Sequence, residues 1–214
     1  MENIRTTSRF NSTFFSTTAI ACFAYFAFAL LLLHALRPDR ALATTWISGY
    51  AIGPYGWVMT TAWLAASSGC LMLLLGLARS GPRSGAARFG TLLMGILSLG
   101  LLITAIFPPG KKGEPSISGE IHSITFLVNV VCILLASVLL SVGFGSDARW
   151  RAFWRTAATL ASLLVFAFVL QFLTAYFEVL YGLANRFFAT VLILWFLAIS
   201  LQLRAVARDS AREA

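Results

Sequence analysis

Acidic side chains are scarce in this sequence: 8 Asp and Glu among 214 residues, with charged residues of both signs reaching only 11%. A water-soluble domain of this length carries roughly 25% charged residues, so a soluble globular domain is excluded. Histidine occurs twice and cysteine three times. Cys22, Cys70 and Cys132 each sit inside an apolar segment with no CxxC spacing, which excludes a cysteine-based metal site and makes them small buried hydrophobes. No HExxH, Walker loop, serine elbow or dinucleotide fingerprint occurs, so the common hydrolase and nucleotide-binding chemistries lack their residues.

Apolar residues are abundant, at 59%, with 18 Phe and 6 Trp and a mean hydropathy of +0.84. Six runs, at about 13–36, 56–78, 90–108, 121–143, 156–178 and 185–205, are long enough for the ~20 helical residues that cross a bilayer core. Each run must be helical, because lipid offers no partner for free backbone groups. The expectation is an all-α bundle of six transmembrane helices forming one domain over 1–214. The first run is too long for the apolar stretch of a cleaved signal, and the "TAIAC" around Cys22 lies within it.

The net charge of +8 would suggest nucleic acid in a soluble protein, but here the basic residues fall between the runs. Eleven arginines (5, 9, 79, 83, 88, 149, 151, 155, 204, 208, 212) lie on one side. Arg37, Arg40, Lys111, Lys112 and Arg186 lie on the other. The basic side is cytoplasmic by the positive-inside rule. Both termini are then expected inside, in a multi-pass protein of the inner (cytoplasmic) membrane that binds no nucleic acid. The external segments are 37–55, 109–120 and 179–184.

Polar residues at membrane depth mark the candidate site. His122, Thr125, Asn129 and Cys132 share one face of the fourth run, with Glu120 just before them. Gln171, Thr174 and Glu178 share a face of the fifth; His34 closes the first run, and Asn185 and Arg186 open the sixth. An outward pocket lined by His34, Arg37, Asp39, Tyr50, Tyr55, Glu120, His122, Asn129, Gln171, Glu178 and Arg186 is expected. The competing reading is structural: Asn129 and Gln171 as glue between helices, and Glu178 paired with Arg186 across the last turn. His34 and His122 would serve haem only if both rings faced one cavity, and zinc only with Glu120 and Asp39 added. Neither cofactor is expected.

The segment "ISGYAIGPYGWVM" (47–59) follows "HALRPD" (34–39); then come "IFPP" (106–109), "GEIH" (119–122) and "GLANRFF" (182–188). This ordered set resembles the bacterial and archaeal six-span membrane family called domain of unknown function 998, over roughly residues 16–204. The resemblance extends to Arg37, Pro38, Ser48, Tyr50, Gly53, Tyr55, Gly56, Pro108, His122, Gly182 and Arg186. Many members look like "SEY" where this chain has "SGY". Gly49 therefore removes an acidic group, and with it an acid/base role for the first external loop. The resemblance implies no activity. Independently of it, Gly53-Pro54 and Gly56 demand a turn, and Tyr50, Tyr55 and Trp57 are rings suited to the headgroup level. That segment is either an interfacial turn or a lid over a pocket.

Three functions are compatible with these residues. One is binding of a lipid or amphiphile from the outer leaflet, with membrane lipids as partners. The second is an intramembrane enzyme or haem protein using His122, Glu120 and His34. The third is an accessory role, packed on another membrane protein or on a second copy.

Overall fold

The computed structural model describes residues 2–110 and 114–212; Lys111 and Lys112 lie outside them. The described residues are almost wholly helical and contain no strand. The six long helices are α1 (Glu2–Leu36), α2 (Gly56–Ser80), α3 (Gly85–Ile106), α4 (Ile117–Ser146), α5 (Trp154–Tyr176) and α6 (Tyr181–Arg212). All six contain a segment long and apolar enough to span a bilayer.

Local chemistry sets where these helices stop. α1 ends at Leu36, just before Arg37-Pro38, because proline disfavours helical backbone in the residue that precedes it. α3 ends before Phe107-Pro108-Pro109. The Ser84 and Ser116 hydroxyls cap α3 and α4, accepting the backbone N–H of Ala87 at 3.3 Å and of Gly119 at 3.1 Å. The Ser116 cap places Glu120 and His122 inside the helix, in its first two turns. At 30 residues α4 is about 45 Å long, more than the ~30 Å hydrocarbon core, so its ends reach beyond it.

The helices close into a ring in chain order: α1 packs on α2, α2 on α3, and so on until α6 returns to α1. Contacts between α2 and α6 cross the ring. The seams rely on small residues, as membrane helices do. Ser67 and Ser98 donate to each other's carbonyls, at 2.8 and 2.9 Å, and tie α2 to α3. At the end of the bundle carrying the 81–84 and 147–153 connections, buried Trp150 stacks on Phe144 with ring centres 4.6 Å apart. Its indole N–H donates to the Ser80 carbonyl at 3.2 Å.

At the opposite end, called the loop end below, the 37–55 connection folds over the bundle around a short 3₁₀ helix, Ile47–Ala51. Buried Ile47 and Tyr50 face inward from it, onto a second apolar cluster with Leu33, Met59, Trp63 and Ala105.

Asn129 is buried in the α3–α4 seam. Its Nδ2 donates to the Thr104 hydroxyl at 3.3 Å, and that hydroxyl donates to the Gly100 carbonyl at 2.9 Å. Its Oδ1 has no hydrogen-bond partner and rests in the notch that Gly100 leaves, where a Cβ would collide with it. Gly100→Ala is therefore expected to push Asn129 out of the seam at a cost of about 1–3 kcal/mol. Gly85→Ala, facing open space, should cost nothing. The midpoints of unfolding in dodecyl sulfate check this, and equal midpoints for the two variants would refute it.

Candidate functional site

A cavity of about 430 Å³ occupies the loop end, between α4 and α6. The ring geometry creates it: these two helices face each other with little or no direct packing. Trp63, Met59 and Ala66 of α2 form one wall, with Leu97, Leu101 and Thr104 of α3. His122, Phe126, Asn129 and Val130 line it from α4, and Asn185, Phe188 and Phe196 from α6. Trp46, Ile47 and Ser48 cover it from the loop. The volume is within the ~300–1,000 Å³ common for ligand sites. Among the described residues, no Asp, Glu, Lys or Arg lines it.

His122 is buried, and its ring lies 5.5 Å from that of Trp63, tilted by 55°. Its Nδ1 is 3.0 Å from the Phe107 carbonyl, which can only accept, so Nδ1 carries a proton, and in the neutral ring Nε2 is an acceptor. Glu120 is exposed, and among the described residues no hydrogen bond or ion pair joins it to His122.

His34 belongs to a different group. Its Nε2 accepts the Nε–H of Arg186 at 2.7 Å, across 152 positions of sequence. Arginine can only donate, so the His34 ring is the neutral Nδ1–H tautomer, with that proton given to the Leu30 carbonyl. Arg186 also donates from Nη1 to the carbonyls of Leu42, Thr45 and Gly182, at 3.0, 2.8 and 2.8 Å. Its Nη2 donates to the hydroxyl of fully buried Tyr50 at 3.0 Å. The Gly182 N–H donates to the Ala43 carbonyl at 2.8 Å, and a Cβ on Gly182 would strike that backbone. One guanidinium thus binds α1, the loop and the start of α6.

Arg37 is buried and paired with Asp39 through two bonds of 2.8 Å. Its Nη1 also donates to the carbonyls of Ile52 and Pro54, at 3.0 and 2.9 Å, fixing the turn that the glycines and Pro54 make. Gln171 is buried in the α5–α6 seam, where its Oε1 accepts from Asn185 at 3.0 Å. Asn185 in turn accepts the Ile47 N–H at 2.8 Å.

The eleven candidate residues are therefore distributed. His122 and Asn129 line the cavity. His34, Tyr50 and Arg186 form one cluster, Arg37 and Asp39 another, and Gln171 supports the cap through Asn185. Tyr55 is exposed with left-handed backbone (φ 62°) where α2 begins. Glu178 is exposed with φ 56° in the turn before α6, and no ion pair links it to Arg186 among the described residues.

Sequence reasoning did not single out Trp63, Thr104, Phe126 or Phe188 as lining residues. Aromatic residues in an apolar run carry no signal of which way they face. Asn185 was noted only as a helix start, although Asn at that depth already called for a partner.

A family model described as Protein of unknown function (DUF998) matches residues 19–202. No curated protein and no solved structure matches the chain.

The Arg37–Asp39 pair has a definite pH signature. The hydrogen-bonded Arg37 guanidinium holds the Asp39 carboxyl below its usual value. Such a group stabilises fully above its unfolded pKa of ~3.9, and the contribution is lost as pH falls through the lowered folded value. Asp39→Asn is expected to raise amide exchange across 47–56 at neutral pH. The difference from the native chain should persist down to about pH 4 and close only in stronger acid. Exchange mass spectrometry of both proteins at matched pH checks this; a difference that closes between pH 7 and 5 would sink it.

Proposed function

The chain belongs to the DUF998 family of proteins of unknown function, and we propose that its bundle binds a membrane lipid or other amphiphile in the cavity at the loop end. The charge distribution supports a position in the cytoplasmic membrane with both termini inside. The cavity then lies in the outer half of the bilayer. One observation carries the reading: a space of about 430 Å³ with aromatic walls and, among the described residues, no charged side chain in its lining.

That lining suits an apolar body with an uncharged polar end. Trp63, Phe126, Phe188 and Phe196 offer aromatic surface to a chain or ring system. The His122 acceptor and the Ser48 hydroxyl offer neutral hydrogen bonds near the loop end. A charged headgroup placed there would lose its water without gaining a counter-ion. Phe126 is 40% exposed although it lines the cavity, so the α4 wall is also a lipid-facing surface. An amphiphile could enter from the bilayer beside Phe126 without crossing the loop.

Ala66 faces the cavity from α2 and is buried. Ala66→Met fills part of the space without touching a polar group. Native mass spectrometry of the gently extracted protein is expected to show a retained amphiphile, reduced about tenfold or more by this variant, equivalent to ~1.4 kcal/mol. A native protein that carries no adduct, or a variant that retains the same one equally, would overturn the proposal.

A further inference from the structure

We propose that the crevice between α1 and α6 is a second, separate site, which holds one anionic phospholipid of the leaflet at the loop end, with Arg186 as the counter-ion of its phosphate.

Three arginines of this end are buried or half-buried, Arg37, Arg40 and Arg186; Arg40 lies 3.7 Å from the Asp39 carboxylate, and Arg186 differs from the other two in one respect. Arg37 has a carboxylate, Asp39, at 2.8 Å. Arg186 has five partners, and all are neutral: an imidazole, a phenol and three carbonyls. No ion pair to Arg186 exists among the described residues. Neutral acceptors orient a guanidinium but leave its full charge in place, and a charge withdrawn from water without a counter-ion is costly. The donor count agrees. A guanidinium has five N–H groups. Nε serves His34, Nη1 serves the three carbonyls, and Nη2 has two hydrogens with Tyr50 as its one partner. One N–H of Nη2 is left to donate.

Arg186 and His34 stand at the head of a crevice of about 320 Å³. Below them its lining is apolar apart from Thr190, with Ala27, Leu30, Leu31, Ile193 and Leu194 from the two helices. Leu31 is 71% and Leu194 49% exposed, so the crevice opens sideways to where acyl chains lie. A cation at the head of an apolar, lipid-facing groove is complementary to an anionic headgroup with its chain attached. A soluble anion would satisfy the charge and leave the groove unfilled.

This site is independent of the central cavity. The two share Ile47 and Ala189 as a common wall. Ala27 lines only the crevice, and Ala66 only the cavity, so the two sites can be blocked one at a time.

The test reconstitutes the full chain in phosphatidylcholine vesicles containing a minor share of phosphatidylglycerol, followed by gentle extraction and native mass spectrometry. One phosphatidylglycerol per chain is expected, at about tenfold or more above its share of the bilayer. Arg186→Gln should abolish the excess, and so should Ala27→Phe, which leaves Arg186 untouched. Ala66→Met should leave it intact. Should Arg186→Gln lose its helical circular dichroism, Ala27→Phe carries the test alone. Retention in proportion to bilayer composition would overturn the proposal, as would an excess that survives Ala27→Phe. Displacement by inorganic phosphate as effective as by added phosphatidylglycerol would also overturn it, because the ligand would then be a free anion.

Discussion

The loop end of this protein depends on the guanidinium of Arg186. Membrane helices can satisfy their own backbone, but a 19-residue connection such as 37–55 cannot do so in lipid. Its carbonyls at Leu42 and Thr45 are taken by Arg186, and that at Ala43 by the N–H of Gly182. The same guanidinium reaches His34 on α1 and Tyr50 in the 3₁₀ helix. Once these are fixed, Ile47 is held over the bundle, and Asn185, one residue before Arg186, takes its N–H. The cap over the cavity is thus a consequence of how the first turn of α6 is anchored.

The cavity follows from that anchoring together with the ring. Six helices packed in chain order leave space at the centre unless inner contacts fill it. Below the loop end they do: Phe23 of α1 stacks on Phe196 of α6 at 4.3 Å, against the notch of Gly69 in α2. Nearer the loop end the cap holds the space covered, and the lining stays apolar. Asn129 stands at the boundary between the two regimes. It lines the cavity, yet its amide is spent in the α3–α4 seam, on Thr104 and in the Gly100 notch. Pocket and seam were alternatives when only the α4 face was known, and Asn129 serves both.

The spans were legible because apolar run length is a direct physical requirement of the bilayer. Their ends were less so. α3 starts at Gly85, about five residues earlier than the apolar run suggests, because Ser84 caps it. Likewise Ser116 starts α4 ahead of Glu120. The depth of the polar residues could be read, since most sit near a run boundary and Asn129 and Gln171 about two turns inside one, but their partners could not. His34 and Arg186 are 152 positions apart, and nothing in either neighbourhood indicates that they meet. Period and depth place a residue on a helix; the ring order decides which helix faces it. That is why one expected pocket of eleven residues resolves into a cavity, two arginine clusters and a seam, with Tyr55, Glu120 and Glu178 exposed outside them.

The contrast between the arginines has a physical reading beyond architecture. Arg37 carries its own anion and holds a turn; its electrostatics are closed within the chain. Arg186 does equivalent positional work with neutral acceptors and keeps its charge. A carboxylate near it would tie the loop as well and remove the cost of the lone cation, as Asp39 does for Arg37. Neutral partners make sense where the counter-ion comes from outside, because an internal carboxylate would compete for the same guanidinium. The apolar crevice below Arg186 supplies the remaining condition, a bed for the chain that an anionic headgroup brings with it. The central cavity has the opposite character, apolar with neutral donors and acceptors. The two clefts share Ile47 and Ala189 as a wall and differ in charge, so their linings are complementary to different chemistry.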